Sequence, residues 1–193
     1  MATIHEYTMF SSLNCHGFNN SVDYIRTFSN DNQCDFLCLQ ELWLIDSDLY
    51  KLNNIHSDYT YTAISGMDSN SDFLSGRPFG GVGILYKKSL SPFVTKIVCN
   101  NKRVCGVLIT MHNNSTCMLL SIYMPSNNYS LSTVKQEFSD TIDCIESLIN
   151  SVDCNAQICC GDFNAPIDKR GAHLEYWNSC IDRNDLYLFI YQK

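Results

Sequence analysis

The hydrophobic positions of this chain gather into short runs separated by polar or glycine-containing stretches. Such runs occupy Tyr7–Leu13, Phe36–Leu39, Tyr59–Ile64, Val82–Tyr86, Val94–Cys99, Val104–Met111, Met118–Tyr123 and Gln157–Cys160. Their β-branched, aromatic and Leu content predicts β-strands. Asn100-Asn101, between two of them, predicts a tight hairpin, because Asn tolerates left-handed turns. Two stretches keep helical spacing instead. Val22, Ile25 and Phe28 predict a short helix over Ser21–Phe28, and Val134, Phe138, Ile142, Ile145, Leu148, Ile149 and Val152 predict a longer one. Thr133 with Gln136 three residues later reads as a capping box at its start. Strands and helices mixed without strict alternation predict an α/β layered domain containing antiparallel hairpins.

Length and composition narrow the class. A chain of 193 residues, 45% hydrophobic and 17% charged, suits one globular domain, taken as 1–193. No apolar run approaches the roughly 18 residues a membrane helix needs, and Glu6 interrupts any secretory leader. A soluble, intracellular, unsecreted protein is expected, so the eleven cysteines read as reduced thiols. No Cys-x-x-Cys pair supports structural zinc.

The net charge of −7 argues against a uniformly basic nucleic-acid binder, but its distribution matters more. From Phe73 to Gln136 there is no Asp or Glu, while Arg77, Lys87, Lys88, Lys96, Lys102, Arg103 and Lys135 are basic. That asymmetry permits one basic face on an acidic body, although solvated hairpin tips would produce it equally well.

Candidate chemistry sits where polar residues end apolar strands: Ser12-Leu13-Asn14, Leu39-Gln40-Glu41, Ser121-Ile122-Tyr123-Met124-Pro125 and Gly161-Asp162-Phe163-Asn164. A carboxylate ending a buried strand is costly unless it is paired or holds a cation. Glu41 and Asp162, with a nearby Asn, offer an all-oxygen donor set that favours Mg²⁺ or Mn²⁺ over zinc. Singly, each segment also has a plain reading: Asp-x-Asn makes an ordinary turn, Tyr123 a core aromatic, Glu41 a strand-end charge.

In this order, the segments Ser12-Leu13-Asn14-Cys15-His16-Gly17, Cys38-Leu39-Gln40-Glu41, Gly80-Gly81-Val82-Gly83-Ile84-Leu85, Ser121-Ile122-Tyr123-Met124-Pro125-Ser126 and Gly161-Asp162-Phe163-Asn164 resemble signature blocks of the endonuclease/exonuclease/phosphatase superfamily. Arg77-Pro78-Phe79-Gly80-Gly81 and Gly161 to Pro166 are most similar to the apurinic-like endonuclease domains of non-LTR (LINE-type) retrotransposons. The resemblance implies a four-layered, DNase I-like α/β sandwich of two mixed sheets flanked by helices. It also implies Mg²⁺- or Mn²⁺-assisted phosphodiester hydrolysis on DNA, a nuclear setting, and a reverse transcriptase domain in a longer natural chain. Carried onto this sequence, Glu41 would be the main metal ligand with Asn14 beside it. Asp162 would orient the attacking water, Tyr123 would act near the phosphate or leaving group, and Asn164 and Arg77 would contact substrate.

Two departures stand out. The family's late Ser-Asp-His block is absent from the 193 residues, and position 16, acidic in the family's apurinic-site enzymes, is His. The missing block implies a domain incomplete at its C-terminus and lacking its last strands, with catalysis weakened by about 10²–10⁴. A catalytically inactive fragment and a phosphatase of the same fold acting on small phosphoesters are therefore the competing readings. A serine hydrolase is disfavoured, since no Gly-x-Ser-x-Gly occurs, and no Gly-x-x-x-x-Gly-Lys loop supports nucleotide binding.

Overall fold

Period-two alternation dictates how each strand shares its side chains between two layers. In the computed structural model, which describes residues 8–32, 34–67, 78–111, 113–126, 131–164 and 187–190, this alternation builds two facing sheets. The first comprises β1 (Phe10–Asn14), β2 (Phe36–Gln40), β3 (Tyr59–Ile64) and β4 (Val82–Lys87) in the order β1-β2-β4-β3. The second comprises β5 (Val94–Ile97), β6 (Val104–Thr110), β7 (Thr116–Tyr123), β8 (Ala156–Asp162) and β9 (Tyr187–Ile190), in sequence order. Both are mixed: β1–β2, β7–β8 and β8–β9 are parallel, and the remaining pairs antiparallel.

Three apolar clusters make four layers of the chain. Leu37 and Leu39 of β2 face helix α1 (Phe18–Asn32), meeting Phe18 and Ile25. Phe36 and Cys38, alternate residues of the same strand, face the other way into an inter-sheet core with Val107, Leu119 and Cys160. Met118, Leu120 and Ile122 of β7 meet Phe138, Ile142 and Ile145 of helix α2 (Leu131–Ser151). The expected four-layered α/β sandwich is the observed architecture.

Several local expectations need correction. Helix α1 starts at Phe18 rather than Ser21, because Phe18 N donates to Leu42 O at 2.9 Å and Ser21 Oγ bonds back to Cys15 O. Helix α2 starts at Leu131, so Thr133 lies within its first turn and is no N-cap; the Gln136 amide instead donates to Asp140 at 2.7 Å. The β5–β6 connection is a six-residue turn, not a tight hairpin. In it Asn101 Oδ1 accepts from Arg103 N (2.8 Å) and Asn101 O from Val104 N (3.2 Å). Strand β9 had no sequence assignment. Two 3₁₀ segments, Asp46–Asn54 and Lys88–Phe93, complete the described elements. Arg77 lies outside the described residues, as does most of the 66–80 segment.

Candidate active site

The carboxyl ends of β1, β2, β7 and β8 converge, which is where the strand-end polar residues stand. Asn14 pairs in register with Gln40, and Tyr123 with Asp162. Glu41, one residue past β2, has a φ of +54°, a left-handed conformation costing about 1–2 kcal/mol for a residue with a Cβ. Backbone bonds on both sides hold it there: Gly17 N donates to Glu41 O (2.9 Å), and Leu42 N to Gly81 O (3.2 Å). The kink turns the Glu41 carboxylate toward the second sheet. Across from it, Gly161 lets β8 approach β7 closely, since a Cβ there would lie 1.9 Å from Ile122 O.

At the front of the site, the Asn14 amide joins the two sheets. Asn14 Nδ2 donates to Glu41 Oε1 and to Asp162 Oδ2, each at 2.8 Å, while its Oδ1 accepts from His16 N at 3.0 Å. Asp162 Oδ1 accepts from Asn164 N (3.0 Å), so the plain turn expected of Asp-x-Asn is present as well. The Asn164 side chain donates to Met124 O at 2.8 Å, which stitches the turn to the end of β7. Behind this front lies a buried polar relay. Ser12 Oγ donates to Gln40 Oε1 (3.2 Å), Gln40 Nε2 to Ser121 Oγ (3.0 Å), and Ser121 Oγ to Leu39 O (3.2 Å). Gln40 and Ser121 are fully enclosed, so the relay fixes sheet spacing directly behind the carboxylates.

Tyr123 is partly buried. Burial first, then the Glu41 charge and a hydrogen bond to it, push its hydroxyl well above the ordinary phenol range, against a smaller opposing effect of Arg103. The hydroxyl therefore stays a proton donor. Arg103, whose guanidinium lies 5.5 Å from the Tyr123 ring centroid, pairs with Glu137 at 2.6 Å. It was visible in the sequence only as one of seven basic residues in the acid-free stretch. His16 belongs here too: its Nδ1 is 3.3 Å from Glu41 Oε2, and its ring lies 4.9 Å from that of Trp43. A cleft of about 510 Å³ opens beside Glu41 and Tyr123. Trp43 and Phe79 line it, together with the basic Lys102 and Arg103 and the acidic Glu137 and Asp140.

Among the described residues, no group of three or more His, Cys, Asp or Glu side chains stands ready to enclose a metal. The donors present are two carboxylates bracketed by an amide. They fit a hard divalent cation that keeps several waters and takes its remaining ligands from a phosphate, as Mg²⁺ does, and do not fit zinc. Glu41 and Asp162 would hold such an ion. The Asn14 amide nitrogen faces both carboxylates as a hydrogen-bond donor.

The chain belongs to the endonuclease/exonuclease/phosphatase family, whose model matches residues 11–183. That family groups hydrolytic nucleases and phosphatases. Solved structures share its fold. An AP endonuclease from Leishmania major superposes with a TM-score of 0.67 at 14% identity, over 92% of this chain and 66% of that one. A Neisseria 3′ phosphatase bound to product DNA hairpin gives 0.65 at 12%, covering 91% and 71%. The endonuclease domain of TRAS1, a telomere-specific non-LTR retrotransposon, gives 0.66 at 9%, again covering 91% and 71%. The chain thus spans about two thirds of these proteins' length. No curated protein matches the sequence. No helix among the described residues is long and apolar enough to cross a membrane.

Proposed function

We propose that this chain is a metal-dependent phosphodiesterase that nicks DNA, derived from a non-LTR retrotransposon. The observation that carries this reading is the Asn14 amide holding Glu41 and Asp162 together across two sheets, at the mouth of a cleft to which Trp43, Phe79, Lys102 and Arg103 contribute. Glu41 and Asp162 would hold the cation, which when bound would supply positive charge against a phosphate oxygen and the charge developing on the leaving oxygen. Asp162, fixed by Asn14 and Asn164, orients the attacking water. Tyr123 donates its proton-bearing hydroxyl to the phosphate or leaving group. Arg103 and Lys102 draw the polyanion toward the cleft, and Phe79 and Trp43 offer rings on which sugar or base can rest. The retrotransposon origin is supported by the Arg77–Gly81 sequence and by likeness to the TRAS1 domain; a reverse transcriptase would then accompany this domain in a longer chain.

The test is nicking of supercoiled plasmid by the purified chain with Mg²⁺ or Mn²⁺. Nicking should vanish with chelator and in Asp162→Ala and Glu41→Ala. Release of phosphate from a 3′-phosphorylated oligonucleotide, with no nicking, would replace this reading with that of a phosphatase.

A further inference from the structure

Trp43 holds a position that its backbone does not favour. Its φ is +52°, a left-handed conformation that bulky residues rarely adopt. Leu42 and Leu44 on either side are buried in the core against α1, and Trp43 N donates to Gly80 O at 2.9 Å. The indole itself is only half-buried and lines the cleft. Its six-membered ring rests on Gly17, where a Cβ would come within 2.6 Å of Cε3, and the His16 ring leans on it at 4.9 Å. That imidazole also reaches Glu41, with Nδ1 3.3 Å from Oε2, so the indole stands one ring's width from the carboxylate. Phe79, next to Gly80, lines the same cleft and is 55% exposed. Lys102 and Arg103 share the lining with Glu137 and Asp140, so charge alone gives a phosphate chain little net attraction there. Large rings beside nearly balanced charge suit a ligand held by its flat faces.

We propose that Trp43 and Phe79 form a stacking platform for unpaired bases, so that this site takes a single-stranded or locally unpaired strand in preference to continuous duplex. The inference rests on the phosphodiesterase reading above and deepens it by naming the substrate class. In duplex DNA both faces of a base are covered by its neighbours, and offering one to the indole costs unstacking. A strand that is already unpaired presents its faces without that cost. Every base has such a face, so the platform selects by strand state and not by sequence.

The test measures binding to the full chain in chelator, by fluorescence anisotropy of three labelled probes. These are an oligothymidylate, the same strand in a blunt duplex, and a strand of equal length built from abasic residues. The abasic strand keeps the phosphates and removes the stacking faces. The oligothymidylate should bind about tenfold or more tighter than either of the others. Trp43→Asn is the informative variant, since Asn tolerates the left-handed backbone. It should weaken oligothymidylate binding about tenfold and change abasic-strand binding by less than about threefold. Trp43→His, which keeps a ring, should retain part of the preference, and Phe79→Ser, at an exposed position, should reduce it. Equal binding of oligothymidylate and abasic strand by the wild type would overturn this inference, as would a preference unchanged in both Trp43→Asn and Phe79→Ser. Metal-dependent nicking by the same preparation would then preserve the phosphodiesterase reading. A preference that follows Trp43 in a folded chain that cleaves no strand with Mg²⁺ or Mn²⁺ would support the platform and overturn that reading instead.

Discussion

Replacing Asn14 probes the bracket most directly, because one side chain serves two carboxylates that belong to different sheets. Asn14→Ala removes two hydrogen bonds to carboxylates, each worth about 1.5–3 kcal/mol. The site opens onto a cleft, so the low end applies, and the expected loss is about 3 kcal/mol in chelator at neutral pH. For a chain of this length, that lowers Tm by roughly 6–12 °C. Urea unfolding should show a lower midpoint at constant m, the signature of changed stability rather than changed compactness. A double-mutant cycle with Asp162→Ala isolates the inter-sheet half of the bracket, and its coupling energy should be about 1–2 kcal/mol. Asn14→Asp sharpens the test. It keeps an acceptor for His16 N but sets a third carboxylate against Glu41 and Asp162, so without metal it should destabilise more than Asn14→Ala does. The reasoning fails if the coupling is below about 0.5 kcal/mol, or if Asp proves no worse than Ala.

Gly161→Ala should cost more than about 3 kcal/mol or prevent folding, since its methyl meets Ile122 O at 1.9 Å; thermal unfolding followed by circular dichroism checks this. Arg103→Met should weaken DNA binding about evenly across sequences and reduce the salt slope of log affinity by about 1, as measured by fluorescence anisotropy against salt. Burial pushes the Cys15 and Cys105 thiols up to about 12 from 9.0. Their contribution to stability is whole below the unfolded value and is lost as pH rises from 9 toward 12, at up to about 1.4 kcal/mol per pH unit for each thiol. Cys105→Ala should flatten that alkaline limb in urea titrations at stepped pH; an unchanged slope refutes the assignment.

The strands were legible because their apolar runs are short, β-branched and cleanly bounded, and Tyr59–Ile64 matches the observed strand at both ends. Helix α2 was legible for the opposite reason, a helical period sustained over its whole length. The start of α1 was not, because it is set by the tertiary bond from Phe18 to Leu42 rather than by any local cap. Four of the residues singled out, Asn14, Glu41, Tyr123 and Asp162, meet at one place, and Asn164 supports the turn beneath Asp162. Arg103 was missed as a neighbour of this site, and His16 was noted only as a departure at position 16, for different reasons. One stands on a turn whose length hid its reach, and the other takes its place from a positive φ that no spacing rule encodes.

The distance in sequence between the halves of the bracket has a consequence for the order of events in the cell. Asn14 and Glu41 leave the ribosome early, on one sheet; Asp162 follows only after most of the second sheet has been made. At ordinary translation speeds the interval is several seconds to tens of seconds. Throughout it the nascent chain holds a single carboxylate at this place. On the function proposed above, the chain passes messenger and ribosomal RNA with one acid only, and gains the pair once the two sheets have closed.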